Sequence, residues 1–271
     1  MIRLDKYLAD MSVGTRSEVK KLIRGGRVIV NDETVKSPEL KILENRDIVQ
    51  VDGMTVSFHK YEYFMLNKPM DCVTARTDAG HRTVLDYITD SSRKDLSPVG
   101  RLDIDTEGLL LITNDGEMSH RLLSPRSHVP KTYMLIAMGR VTADDVAALE
   151  NGIDIGDENP TLPAKVSEPV YHRYDEITFY HSKLNRDVIS HRQNRDDIWT
   201  TLQLTISEGR YHQVKRMMAA VGKPVVYLKR ISMGSLTLDE SLNPGEYRRL
   251  TEEEINSLKN LLTKTEKYGK I

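Results

Sequence analysis

One run in this chain leaves little choice of fold. Leu109-Leu110-Leu111-Ile112-Thr113 carries no charge, is too short for a buried helix, and reads as a strand inside a core. The seven residues before it, Arg101 to Glu107, form a charged loop, and Asn114-Asp115-Gly116 turns the chain after it. A carboxylate at such a junction is held by a rigid element and still faces a cleft. Asp103 is the residue so placed, and Arg101 beside it favours its ionised form. An ionised, positioned carboxylate can serve as nucleophile or base. By itself the pattern also fits Asp103 and Asp105 as turn caps, which is the commoner role of aspartate.

The rest of the chain supplies partners for that strand. Phe64–Leu66, Thr132–Met138, Thr201–Ile206, Val225–Leu228 and Gly234–Leu238 read as further strands. Thr142 caps a helix from Ala143 to Glu150 that Gly152 closes, and Gln213–Val221 is a helix stopped by Gly222. Thr251 and Glu254 open a last helix, with Ile255, Leu258 and Leu262 at helical spacing. Strands outnumber helices and do not alternate with them, so the fold class is α+β: a small N-terminal α/β module and a larger mixed, mainly antiparallel-sheet domain. Tyr171–Trp199 lacks sustained periodicity and reads as an inserted loop or hairpin that can be shortened without loss of chemistry.

The expected division is 1–58, 62–255, and a C-terminal helix and tail over 256–271, with Val56–Tyr61 as linker. A length of 271 residues accommodates one large and one small domain. No window is apolar for about 18 residues, so no membrane helix is expected, and charges in MIRLDKYLAD interrupt what a signal peptide would need. Cys72 is the only cysteine, which excludes an internal disulfide and fits a cytoplasmic location. The eight histidines are scattered, no Gly-rich phosphate loop or dinucleotide fingerprint occurs, and no metal site is expected.

Net charge is −1, so bulk charge announces no nucleic acid; its distribution is more informative. Thr15 and Glu18 form a capping box for a helix from Arg16 to Arg24. Arg16, Lys20 and Arg24 share one stripe, with Arg27 just past the end, while Val19, Leu22 and Ile23 make an apolar stripe. Such a row can neutralise backbone phosphates, although most charge stripes are solvated faces.

With the strings LDKYLAD, SEVKKLIRGGRVIVND, KSPELKI and RDIVQVDG, the first fifty residues resemble the S4-like RNA-binding module. Gly100-Arg101-Leu102-Asp103 followed by Thr106-Glu107-Gly108-Leu109-Leu110-Leu111 resembles the active-site motif of the pseudouridine synthases, in the ribosomal branch with an S4-like N-terminus. Lys131-Thr132-Tyr133 and the string from Glu208 to Met217 resemble two further motifs of that family. The resemblance implies isomerisation of uridine to pseudouridine without cofactor. It implies that Asp103 is the catalytic carboxylate, that Tyr133 stacks on the base and serves in proton transfer, and that Lys215 pairs with Asp103. It further implies Arg101, His212 and an apolar Leu238 at the substrate, and Arg16, Lys20, Arg24 and Arg27 on RNA.

Tyr211-His212 and Lys215, with Ser124-Pro125-Arg126 and Pro244-Gly245-Glu246-Tyr247-Arg248, look like the small-subunit type, whose site is uridine 516 of 16S rRNA. The implied partner is 16S rRNA or the assembling small subunit, met by a monomer without obligate protein partner or membrane. The competing readings are a 23S rRNA synthase, a non-catalytic RNA-binding assembly factor, and a hydrolase that uses Asp103 with Asp105 or Glu107 on either side of a glycosidic bond. Asp103 and Asp105 are expected to point to opposite sides of an extended segment, against the last of these. Removal of residues 1–58 is expected to weaken RNA affinity and flatten its salt dependence in a binding titration. An unchanged salt slope would make the basic stripe a solvated face.

Overall fold

The computed structural model describes residues 1–44, 46–58, 60–190 and 198–268. These form two compact units, one of Met1–Glu62 with Ile88–Leu96, the other of Tyr63–Tyr87 with Ser97–Ile271. The first unit therefore takes in residues 88–96, which a division at 58 and 62 does not anticipate.

In the first unit, α1 (Leu4–Asp10) and α2 (Arg16–Arg24) pack on a small antiparallel sheet of β1 (Val28–Val30), β2 (Glu33–Thr34), β3 (Val49–Val51) and β4 (Met54–Thr55) in the order β2-β1-β3-β4. The capping box of α2 is present: the Thr15 hydroxyl accepts from the Glu18 amide and the Glu18 carboxylate from the Thr15 amide. Val19 and Ile23 are buried in a core with Leu4, Tyr7, Leu8 and Val28. Val56–Tyr61 is not a free linker over its described residues. The Tyr7 hydroxyl donates to the Val56 carbonyl at 2.6 Å, and the Tyr7 and Phe58 rings stack at 5.0 Å.

In the second unit a ten-stranded sheet carries the core. Its strands include β5 (Tyr63–Lys68), β6 (Glu107–Thr113), β7 (Lys131–Met138), β8 (Val170–Arg173), β9 (Ile198–Ile206), β10 (Val225–Met233) and β11 (Tyr247–Arg249). The central order is β9-β7-β10-β6-β5-β11, and β8 pairs with β9. Every pairing among these strands is antiparallel except β6 with β10, whose register sets Glu107 opposite Lys229 and Gly108 opposite Arg230. All seven residues of β6 are buried, as the apolar run requires. Helices α3 (Gly116–Leu123), α4 (Ala143–Asn151), α5 (Gln213–Ala220) and α6 (Glu252–Tyr268) complete the unit. Met118 and Leu122 of α3 and Leu258 of α6 meet Leu109 and Leu111 in one core cluster.

Helix α6 begins at Glu252, so a boundary at 255 would cut its first turn. The Tyr171–Trp199 segment is a larger correction. Its described part is built into the fold: β8 forms four residue pairs with β9, and Ile177 and Leu184 are buried with Ile136, Trp199, Val226 and Tyr227. The Asn185 amide also donates to the Val226 carbonyl at 2.8 Å. Two isolated apolar anchors among polar neighbours leave no periodicity to read, and so the segment looks like an insertion in sequence. His191 lies outside the described residues. Leu184→Ala is expected to lower unfolding free energy in urea by about 2–4 kcal/mol, the usual loss for a buried leucine. A change below about 1 kcal/mol would return the segment to the surface loops.

Candidate active site

The charged loop ahead of β6 is fixed from beneath by a buried lysine. Lys68 ends β5 fully buried, and its ammonium donates to the carbonyls of Pro69 at 2.9 Å, Asp103 at 3.0 Å and Thr106 at 3.0 Å, with Ile104 at 3.4 Å. Burial pulls the Lys68 pKa down, against the charges of Cys72, Asp105 and Asp103, which raise it. Thr74 holds Leu102 in both directions, and the Asp71 amide donates to Ile104. The Thr106 amide closes a turn onto the Asp103 carbonyl at 3.1 Å. These bonds leave the Asp103 side chain as the part of the loop free to face the cleft.

Helix α5 delivers the partner. Lys215 Nζ stands 2.9 Å from Asp103 Oδ2 and 2.6 Å from Asp105 Oδ1, bridging the two carboxylates. Both aspartates meet one cation, which corrects the expectation that they face opposite ways: residues two apart share a face even in a strand, and the turn at 103–106 keeps them together. Burial alone would lower the Lys215 pKa, but hydrogen bonds to Asp105 and Asp103 and their charges raise it. Burial would raise the Asp105 pKa, and the Lys215 bond and charge, with a bond from Asn185, hold it below the ordinary carboxylate value. His212 Nε2 lies 3.4 Å from Asp103 Oδ1.

His212 takes a left-handed conformation at the start of α5, with φ of 47°, and its ring stacks on Tyr211 at 3.8 Å. The preceding loop is anchored. Arg210 bonds Glu208 and the carbonyls of Asn159 and Pro160, and the Gln213 side chain bonds the Arg210 amide and the Glu208 carboxylate.

Asp103, Lys215 and His212 border a cleft of about 430 Å³, within the range of small-molecule sites. Tyr133 of β7, 8% exposed, and Leu228 of β10 line it from the sheet. Arg101 lines it too, but is exposed and forms no ion pair among the described residues; the cation on Asp103 is Lys215. Leu238 is not a cleft residue. It is buried in the core cluster with Leu236 and Leu258, because the chain turns back at Gly234. Leu228, ten positions earlier, is among the apolar side chains that do line the cleft.

In the first unit Arg16 and Arg24 are exposed on α2 without an ion pair among the described residues. Lys20 reaches Asp5 at 3.9 Å, and Arg27 forms a two-pronged pair with Asp52, so that charge is partly neutralised. Sequence reading missed Lys68, since a lysine before proline looks like a strand break, and missed Asn185 inside the polar segment. It also offered Glu107 as an alternative carboxylate. Glu107 is buried, and the Tyr227 hydroxyl and the Lys183 ammonium occupy its oxygens at 2.6 Å and 3.1 Å.

The site thus defines an enzyme with a lysine-paired carboxylate at the rim of a cleft floored by a sheet. The RNA pseudouridylate synthase profile matches residues 62–220, and an S4 domain profile matches residues 2–48. An uncharacterised RNA pseudouridine synthase of Bacillus subtilis is 42% identical, over 95% of this chain and 98% of its own. Ribosomal small subunit pseudouridine synthase A of Salmonella typhimurium is 41% identical, over 95% of this chain and 100% of its own. A crystal structure of a pseudouridylate synthase, 39% identical, covers 95% of this chain and 100% of that one with a TM-score of 0.59. The chain belongs to the RNA pseudouridine synthase family and carries an S4 domain at its N-terminus.

Lys68→Met is expected to destabilise the catalytic unit, since each buried carbonyl left unpaired costs about 1–3 kcal/mol. Well below its melting temperature the variant should also turn over about 10²-fold more slowly, because the loop that aims Asp103 is released. Normal turnover in the folded variant would mean that the remaining tethers suffice.

Proposed function

We propose that this enzyme isomerises one uridine of 16S rRNA, at the position corresponding to uridine 516, during maturation of the small ribosomal subunit, with Asp103 as the catalytic carboxylate. The observation that carries the reading is the Lys215 ammonium 2.9 Å from Asp103 at a cleft that Tyr133 also lines. The relatives named for the small ribosomal subunit, similar along their whole length, support the choice of RNA. The exposed Tyr211, stacked on the cleft residue His212, offers a flat face to a neighbouring base.

The target base must leave its stack at a cost of a few kcal/mol. Stacking on an aromatic ring returns about 1–3 kcal/mol, and this reading gives that part to Tyr133. Phosphate contacts from the exposed Arg16 and Arg24 would supply further affinity without reading sequence. In this division of labour residues 1–58 hold RNA and residues 62–255 perform the chemistry, and the terminal helix runs on to Tyr268. The enzyme acts in the cytoplasm as a monomer and needs no protein partner. No helix among the described residues is long and apolar enough to cross a membrane.

The test supplies purified enzyme with 16S and 23S rRNA, naked and in partly assembled particles, and maps pseudouridine by nucleotide. Modification confined to 23S rRNA would overturn the target and leave the reaction standing. Asp103→Asn should abolish product while RNA binding persists, and residual turnover above a few per cent would remove Asp103 from its role. Asp105→Asn should be milder, because it loosens Lys215 without removing the reacting carboxylate. Free uracil in place of pseudouridine would favour hydrolysis with paired carboxylates.

A further inference from the structure

Two cations lie under the cleft with no anion against them. Lys131 on β7 and Arg230 on β10 both line it, 9% and 2% exposed. Arg230 pairs across the strands with Tyr133, and Lys131 precedes Tyr133 by two residues, so all three share one face of the sheet. The Lys131 ammonium donates to the Val129 carbonyl at 2.9 Å, and Arg230 Nε donates to the Leu109 carbonyl at 2.8 Å. The Nη2 group of Arg230 is buried without any hydrogen-bond partner. Among the described residues no carboxylate pairs with either side chain. Burial, and then the charge of Arg230, push the Lys131 pKa down to about 8.

The other cations of the cleft are differently placed. Lys215 is neutralised by two aspartates, Arg210 is paired with Glu208 and Asp157, and Arg101 is exposed. A buried charge without a partner is strongly unfavourable, and an orphaned buried donor in a folded protein calls for a reason. An arriving ligand that carries acceptor oxygens and gains negative charge would supply both missing partners.

We propose that Lys131 and Arg230 form a cationic floor that binds the uracil ring by its carbonyl oxygens and takes up the negative charge it acquires when the glycosidic bond breaks. The proposal rests on the assignment of Asp103 above. When N1–C1′ cleaves, the bonding pair stays with the ring and spreads over N1 and the carbonyl oxygens O2 and O4. The sugar is left short of that pair, and Asp103 compensates it, by bonding to C1′ or by taking a proton from C2′. The ring then turns, and an electron pair at C5 forms the C5–C1′ bond, while any Asp103–C1′ bond breaks and returns its pair to the carboxylate. Any proton taken from C2′ returns, C5 releases its proton, and N1 gains one, so no atom is gained or lost overall. Lys131 and Arg230 touch the reacting base in this scheme, and their part resembles that of oxyanion-hole donors.

The experiment uses the full-length enzyme under single-turnover conditions. Its substrates are the RNA that the wild-type protein modifies and the same RNA with 5-fluorouridine at the target. Fluorine withdraws electrons from the ring and stabilises the departing anion without help from the protein. For Lys131→Met and Arg230→Gln, the rate on uridine is expected to fall about 10²- to 10³-fold, the usual loss of a preorganised donor. RNA affinity should stay within about threefold, because the phosphate contacts are untouched. Loss of 5-fluorouridine should be impaired at least about tenfold less than conversion of uridine, and Lys131→Arg should recover most of the rate, because it keeps the charge.

Equal losses on the two substrates, or affinity falling in step with rate, would mean a structural role and overturn the proposal. If Arg230→Gln melts before it can be assayed, Lys131→Met decides alone, since Lys131 is the less buried of the two. An enzyme that retains activity as Asp103→Asn, or a wild type that makes no pseudouridine, would instead bring down the assignment on which the floor depends.

Discussion

The catalytic unit depends on a parallel seam two residue pairs long. Strands β6 and β10 meet only through Glu107 with Lys229 and Gly108 with Arg230, yet that contact joins the β5–β6–β11 half of the sheet to the β7–β9–β10 half. The approach is so close that a Cβ on residue 108 would stand 2.2 Å from the Arg230 carbonyl oxygen, and φ at Gly108 is 106°. Only glycine satisfies both conditions. The guanidinium of Arg230 then crosses the seam to the Leu109 carbonyl, a second tie at the same point. Everything in the site follows from this junction. The aspartate loop enters β6 at one side of it, while Tyr133, Leu228 and Arg230 rise from the sheet at the other.

A loop of alternating charges at such a seam would ordinarily be mobile. Here a single ammonium under it gathers several carbonyls. Removing Lys68 from water is unfavourable, as the downward push of burial on its pKa records, but its three protons all find acceptors. Above the loop, Lys215 faces two carboxylates, so that cluster of three keeps a net negative charge of about one. The Tyr171–Trp199 segment supports the same region from outside, with Asn185 on Asp105 and Lys183 on Glu107. Trimming that segment would therefore reach the site through its second carboxylate, although no side chain of it described here borders the cleft.

Those layers were not equally legible in the sequence. Strand β6 declares itself because every position is apolar, and the caps at Thr15 and Thr142 because their chemistry is local. The Asp103–Lys215 pair spans more than a hundred residues and was reached through family resemblance, not through spacing. Lys68 was invisible, since lysine is a surface residue unless its burial is known. Leu238 comes from the family resemblance of residues 230–238, and the chain reversal at Gly234, which spacing does not show, carries it into the core instead. The expectation that the aspartates face opposite ways misapplied the strand period, because residues two apart share a face, and the turn at 103–106 keeps both at Lys215.

The charge pattern that results is ordered across the cleft. A neutral nucleoside enters between the net negative cluster of Asp103, Asp105 and Lys215 and a floor that is net positive. In its ground state the substrate offers neither side a full partner, and Arg230 keeps an unsatisfied donor. Breaking the glycosidic bond separates charge in the matching sense, electron-poor at the sugar carbon near Asp103 and electron-rich on the ring near Lys131 and Arg230. Groups so fixed interact more strongly with the separated charges than with the intact nucleoside, and only such a difference accelerates a chemical step. The same unpaired cations make the empty enzyme less stable than one with an apolar floor would be. An arrangement retained at the expense of stability is expected where the fold serves the reaction and not itself.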